Sequence, residues 1–404
     1  MTKHISTEPK ATTKQGIIIV LASSLTIMGS VMIAAMIPKM IAEFAAITPN
    51  FNHLLPLAIA GPALAIAVFS PCVGWFIDRF GRKNVLIIAT FLYALLGSVP
   101  TVLSDFSQIV VSRLLFGLAE AVIMVACSTL IADYWKDEAR AKFVNFQVVA
   151  ISLVGAIFFV LGGVLGEHHW KTPFYLYLLP LLLIPFMVKY LWEPNCQATI
   201  NQVTAMTVGS VPKSNIKVLI LNYILIIFCM ILAFIVPIQT PLLLADLSIQ
   251  STTLIGMSAG LGLLASLAGA LIWPVLRQRF NTRGVNIILL AYAAMGLYLL
   301  IHAQNYTQVL LAVFVHGIGV GMMVPNTMLP VMNAVTDINR GKALGGFTSS
   351  LYLGQFLSPI LIEIMMVKAH HLQDAIWQFV VLAFMICLIF IFSIFFKKPT
   401  VPVR

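Results

Sequence analysis

Long uncharged apolar runs alternate with short polar breaks along nearly the whole chain. One run extends from about Leu54 to Ile77 and the next from Val85 to Leu103, each long enough to cross a bilayer as a helix. Such runs centre near Ile27, Ala65, Phe91, Glu120, Leu153, Leu181, Ile231, Leu264, Leu290, Val320, Gly354 and Met385, which gives twelve candidate spans. The pattern predicts an all-α integral membrane protein of twelve transmembrane helices. Its polar breaks place an N-terminal tail at 1–16, a six-helix bundle at 17–192, a linker at 193–215, a second six-helix bundle at 216–397 and a C-terminal tail at 398–404.

The two predicted bundles repeat one another. Gln108, Gly117, Arg140 and Lys142 recur as Gln308, Gly317, Arg340 and Lys342, and Arg79-Phe80 recurs as Arg279-Phe280, all at an offset of 317 − 117 = 200. Because each unit holds six crossings, the two copies insert the same way up.

The break after the second run reads Gly74-Trp75-Phe76-Ile77-Asp78-Arg79-Phe80-Gly81-Arg82-Lys83. Arg79, Arg82 and Lys83 cannot sit in hydrocarbon and mark one aqueous face, while Gly74 and Gly81 are expected to let the chain turn and the helix ends approach. This G-x-x-x-D-R-x-G-R-K pattern resembles the signature loop of the major facilitator superfamily of secondary transporters. The resemblance implies two pseudo-symmetric bundles related by an axis along the membrane normal, with Gly74, Asp78, Arg79, Gly81, Arg82 and Lys83 as a conformational switch. Asp133, closing the fourth run on the same face, is expected to reach the Asp78–Arg82 hinge and help lock the outward-facing state. The second copy, Pro274 to Gly284, has Gln278 for Asp78 and Asn281 for Gly81, so the first copy carries the switching role and the second anchors topology.

Charge then fixes orientation and excludes function classes. Of the 24 Lys and Arg residues, only Lys39, Arg113, Lys171 and Lys368 fall outside the tails and the loops on the side of this hinge, leaving 24 − 4 = 20 there. The positive-inside rule makes that side cytoplasmic, and an even number of crossings puts both termini there. The chain is 60% hydrophobic and 9% charged, and its net charge of +10 is scattered through short loops, which fits a membrane surface rather than nucleic acid. Cys72, Cys127, Cys229 and Cys387 lie in apolar runs as small hydrophobes and Cys196 stands alone in a loop, so no disulfide or metal cluster is implied. No loop gathers a nucleophile with a base, which argues against an enzyme.

Charges inside the spans are the candidate chemistry. Arg113 and Glu120 both lie in the fourth run, where an ionised side chain costs about 2.5 to 3.5 kcal/mol to insert. Seven residues amount to nearly two helical turns, so they share a face, roughly 10 Å apart along the axis. Arg113 with Gly117 fits the R-x-x-x-G pattern of many superfamily exporters, and the resemblance implies a cavity position for Arg113. Glu120 is the leading candidate for the group that takes up and releases a proton, and Glu363 and His316 are further candidates. Ser24, Asn222, Gln239, Asn326, Asn333 and Gln355 are polar at spanning depth and are candidate cavity lining or interhelical hydrogen-bonding groups. His168-His169, His370-His371 and His53 share the exterior face, with a spacing that matches no closed metal-ligand set.

The expected function is secondary active transport by alternating access, as proton-coupled efflux of a small organic molecule from a cell bounded by a cytoplasmic (inner) membrane. The proton is the coupling ion, no cofactor is needed, and the expected partners are substrate and lipid for a chain acting as a monomer. In the fifth run Gly162 and Gly163 are present, but Phe158 and Phe159 replace the Gly-Pro that the resemblance associates with export, while Pro359 sits at the repeat position of Phe159. A helix break is therefore expected near Pro359, and a proton-coupled importer of a nutrient, metabolite or metal-chelate is the alternative. A non-transporting receptor is disfavoured by the intact Asp78 hinge.

Overall fold

The computed structural model describes residues 11–194, 215–335, 337–369 and 371–395. Every regular element among them is helical. Eleven helical segments are long and apolar enough to cross a membrane. They are the second span Phe51–Phe80, the third Arg82–Thr101, the fourth Phe106–Tyr134, the fifth Glu138–Gly166, the sixth Thr172–Tyr190, the seventh Ile216–Asp246, the eighth Thr252–Arg279, the ninth Thr282–Ile301, the tenth Tyr306–Asn333, the eleventh Gly341–Ala369 and the twelfth Leu372–Ser393. The first span completes the twelve in two pieces, Thr13–Ser24 and Met28–Phe44, joined by a 3₁₀ turn at Leu25–Ile27. Large apolar residues such as Val68, Ile157, Leu271 and Ile389 are exposed, as expected of a bundle whose outer surface is solvated by lipid.

Helix starts are set by local chemistry. Asp105, Asn215, Ser251, Asn281 and Asn305 each accept a first-turn amide with their side chains and so begin the fourth, seventh, eighth, ninth and tenth spans. The successive spans run in alternate directions, so the Gly81 turn and the Phe280–Asn281 turn lie on one face, here the hinge face, and His53, Glu167 and Glu363 lie towards the opposite one.

The internal repeat extends into the packing. A methyl group at Gly117 would collide with the backbone of Pro62 and with Ala65, and one at Gly317 would collide with Gly262 and Ala265. All three positions are related by the offset of 200, so the fourth span rests on the second as the tenth rests on the eighth. The two halves meet through the fifth span against the eighth, the second against the eleventh and the first against the seventh. Gly163 faces the carbonyl of Thr252 and Gly256 that of Phe159, so these two backbones touch. In lipid such close approach is the main source of helix–helix affinity.

Three expectations are corrected here. The helix runs on through Gly74 to Phe80 and a Cβ at Gly74 would meet nothing within 4 Å, so only Gly81 makes the turn. Cys72 is exposed on the bundle surface, unlike the buried Cys127, Cys229 and Cys387, while Cys196 lies outside the described residues. The eleventh span continues unbroken through Pro359, and the fifth is unbroken at Phe158 and Phe159. The linker beyond Pro194, His370 and most of both tails lie outside the described residues.

Candidate functional site

The break in the first span is the centre of a buried polar cluster. A 3₁₀ turn inside an α-helix tightens the bonding to the third residue, as where the Met28 amide donates to Leu25 O, and leaves second carbonyl lone pairs open to other donors. Three side chains from other spans take them up. Tyr93 of the third span donates its hydroxyl to the Leu25 carbonyl at 2.5 Å, Tyr177 of the sixth donates to Met28 O at 2.8 Å, and Arg113 of the fourth donates Nη2 to Gly29 O. Arg113 Nη1 also reaches the Tyr177 hydroxyl at 3.5 Å. The guanidinium lies 4.4 Å from the Phe116 ring centre and 5.8 Å from that of Tyr177, so ring faces supply part of the solvation that lipid cannot.

Glu120 lies against the same break. It is 2% exposed, and its Oε2 is buried without a hydrogen-bond partner. A Cβ on Gly29 would stand 2.5 Å from that oxygen, so the carboxyl occupies space that only a glycine leaves open. Arg113 is fully buried, and among the described residues it forms no ion pair with Glu120. One turn beyond Glu120, Met124 Sδ accepts the hydroxyl of Tyr352 from the eleventh span at 3.2 Å. The carboxyl thus sits between the first-span backbone and the opposing half. Arranged this way the carboxyl can hold a proton or accept from a donor group beside the first span.

The hinge forms a second cluster, wholly within the first half. Arg82 bridges Asp78, at 3.1 Å, and Asp133. Gly81 has φ +90°, a left-handed conformation that other residues rarely adopt. Glu193, which polarity assigns to the linker, belongs to no motif that would mark it. Its carboxylate accepts the amides of Arg82 and Lys83 at 2.5 and 2.9 Å, capping the third span. Tyr134 stacks on Trp192, with ring centres 4.2 Å apart, and donates to its carbonyl, while Lys83 Nζ donates to Val188 O. Arg79 lies against the ring of Trp75 at 5.6 Å. The second-half turn needs no left-handed residue, because Asn281 caps Gly284 at 2.9 Å and Arg277 bonds Thr282 and the Phe280 carbonyl.

The remaining candidates separate by their partners. Ser24 is buried and spends its hydroxyl on Val20 O of its own helix, and Asn222 donates its side-chain amide to Val218 O. Asn326 is buried in an interhelical lattice, donating to Asn286 and Thr282 O and accepting from Trp273. Asn333 is exposed at its helix end, whereas Gln239 and Gln355 are buried. His316 is buried, 3.1 Å from Leu232 O, where it ties the tenth span to the seventh. Glu363 is paired across the halves with His53 at 2.7 Å. Among the described residues no group of three or more His, Cys, Asp or Glu is placed to hold a metal ion.

Comparison with known proteins agrees with this architecture. The sequence profile of the Major Facilitator Superfamily matches residues 19–248 and 220–404. Multidrug resistance protein 1 of Bacillus subtilis is 24% identical over 334 residues, which span 78% of this chain and 83% of that protein. The cis,cis-muconate transport protein of Acinetobacter baylyi is 29% identical over 155 residues, covering 38% of this chain and 36% of its own length. The crystal structure of a D-xylose-proton symporter shares the fold with a TM-score of 0.78 at 17% identity, covering 94% of this chain and 97% of that one.

Proposed function

The chain belongs to the Major Facilitator Superfamily of transporters, and from that premise we propose that it exports a small organic molecule across the cytoplasmic membrane in exchange for protons. The observation that carries the reading is Glu120, a buried carboxyl with an unpartnered oxygen pressed against the broken first span. Proton uptake there removes a charge from an apolar site, and proton release restores it. Either event changes the balance between arrangements of the first span that differ in how they solvate the carboxyl. Arg113 and the two tyrosines hold the break in register, so the charge state of Glu120 is felt by a helix that contacts both halves.

The cycle runs by rocking of the two bundles. The hinge face is taken as cytoplasmic, with both termini, on the positive-inside count. In the arrangement described here the halves are bonded at their exterior ends through Glu167 and His53. We read this as a member of the cycle closed on the exterior side. Substrate leaves after the halves rock, and a proton taken by Glu120 from outside favours the return.

Proton release from detergent-solubilised protein on addition of a solute panel tests the reading. One solute class is expected to release protons from the native chain and none from Glu120→Gln. Binding with no proton release in either protein removes Glu120 as the coupling group. Import by proton symport is the second reading, favoured by Phe158 and Phe159 in place of the exporter Gly-Pro. Accumulation in right-side-out cells rather than everted vesicles would establish it.

A further inference from the structure

The exterior ends of the halves are fastened by a carboxylate that serves a helix of the other half. Glu167 follows the last residue of the fifth span. Its Oε2 accepts from the Thr252 hydroxyl at 2.8 Å, the Thr253 amide at 3.1 Å, the Thr253 hydroxyl at 3.2 Å and the Ser251 hydroxyl at 3.4 Å. These residues open the eighth span. First-turn amides have no acceptor in their own helix, and the helix dipole favours a negative charge there. The connection is fixed from behind by Lys39 of the first span, which donates Nζ to Gly166 O at 2.8 Å and to Glu167 O. Directly below, Gly163 and Gly256 bring the two backbones into contact.

The repeat places a second fastening at the equivalent point. His53, at the start of the second span, is the counterpart of Thr253, since 253 − 53 = 200. Its partner Glu363 lies near the end of the eleventh span, one turn before Val367, the counterpart of Glu167. Each half therefore offers a carboxylate from the end of one helix to the start of a helix in the other, although the two partners differ in chemistry.

Apolar faces exchanging one another for lipid gain little, so polar contacts at the ends weigh heavily in deciding whether the faces stay together. Resting on the alternating-access reading above, we propose that Glu167 with Thr252–Thr253 and Glu363 with His53 are paired latches of the exterior gate. Both are made when the exterior ends are closed, and both part when the protein turns outward. Glu363 is thereby a gate residue rather than a carrier of the transported proton, and Glu167 acts by positioning the eighth span.

Spin-label distances test this in full-length protein with Cys72→Ser and Cys196→Ser. One label pair at Val102 and Gln304 reports the exterior ends, and a second at the exposed Trp75 and Val275 reports the hinge ends. Glu167→Gln should raise the long exterior-distance population relative to the short one by about tenfold, the size expected for loss of one charge-assisted hydrogen-bond set, and Glu363→Gln, whose partner His53 is exposed, by about two- to fivefold. The hinge pair should shorten in step, a reciprocal change that mere loosening of the fold does not produce. His53→Ala at an exposed position and Thr253→Val, which keeps the carboxylate, provide the same test if a glutamine variant does not fold. Unchanged distributions in all four variants, in a protein whose two label pairs still respond reciprocally to pH or solute, overturn the latches and leave alternating access standing. Pairs that never move reciprocally overturn both.

Discussion

Gly29 and Gly81 hold space for carboxylates, and each does so for a different reason. At Gly81 a side chain would suffer from the +90° φ and would also stand 3.0 Å from Glu193 Oε2. Gly81→Ala is expected to lower stability by about 1–2 kcal/mol through backbone strain. Because the new methyl also crowds Glu193, the effects of Gly81→Ala and Glu193→Gln should fall short of additive in thermal unfolding. Additive effects would mean that the carboxylate and the turn are independent. At Gly29 the backbone is ordinary helix and only space is at stake. Gly29→Ala should push Glu120 aside and reduce solute-driven proton release to the level of Glu120→Gln, while Gly74→Ala, whose methyl enters open space, should leave folding stability within about 0.5 kcal/mol of native. The sequence singled out Gly74 and Gly81 by their motif but could not rank them, and nothing marked Gly29 among 25 glycines.

The first span shows what hydropathy reads well and what it misses. Its apolar length predicts a crossing, and the alternation of run and break located the other spans equally clearly, since hydrocarbon leaves the backbone few alternatives to a helix. The 3₁₀ turn at Leu25–Ile27 carries no proline or glycine to announce it. Its own Ser23, Ser24 and Thr26 hydroxyls bond back to Val20 O and Ser23 O, and from outside two tyrosine hydroxyls and a guanidinium reach the carbonyls of Leu25, Met28 and Gly29. Tyr93 and Tyr177 lay hidden for the same reason, because a tyrosine in an apolar run looks like packing until its hydroxyl has a place to go. Tyr93→Phe and Tyr177→Phe should each cost about 0.5–1.5 kcal/mol by removing one buried hydrogen bond to the broken span. Hydrogen exchange should quicken at the amides around Leu25–Ile27 and remain slow in the intact eighth span. Equal quickening in both would indicate general loosening and remove the tyrosines as supports of the break.

The molecule as a whole is two copies of a six-helix unit fastened at one end, and that end should respond to acid. Burial opposes the charge of Glu167, but hydrogen bonds from Thr252, Thr253 and Ser251 outweigh it, so its carboxyl lies below the ordinary 4.5. A lowered pKa means that the fastening is complete above the ordinary value and is lost as pH falls through the lowered one. The Val102–Gln304 distance should therefore lengthen at acid pH in native protein by more than in Glu167→Gln. That difference removes the shared contributions of Glu363, His53, Lys39, His168 and His169. The overall duplication was legible from residues 200 apart, whereas the fastenings were not, because hydropathy does not say which loop meets which. The connection between the copies is pinned at both margins, by Glu193 on the third-span amides and by the Asn215 amide on Ala334 O at 2.9 Å. The 21 residues between them, 194 to 214, could reach about 75 Å if stretched, well beyond the roughly 40–45 Å depth of a whole bilayer. Each margin of that leash is thus held by contacts of its own bundle, and the surfaces the two bundles share are what couples their movements. A transporter cut within that leash, or made as two separate chains, should still assemble and still work.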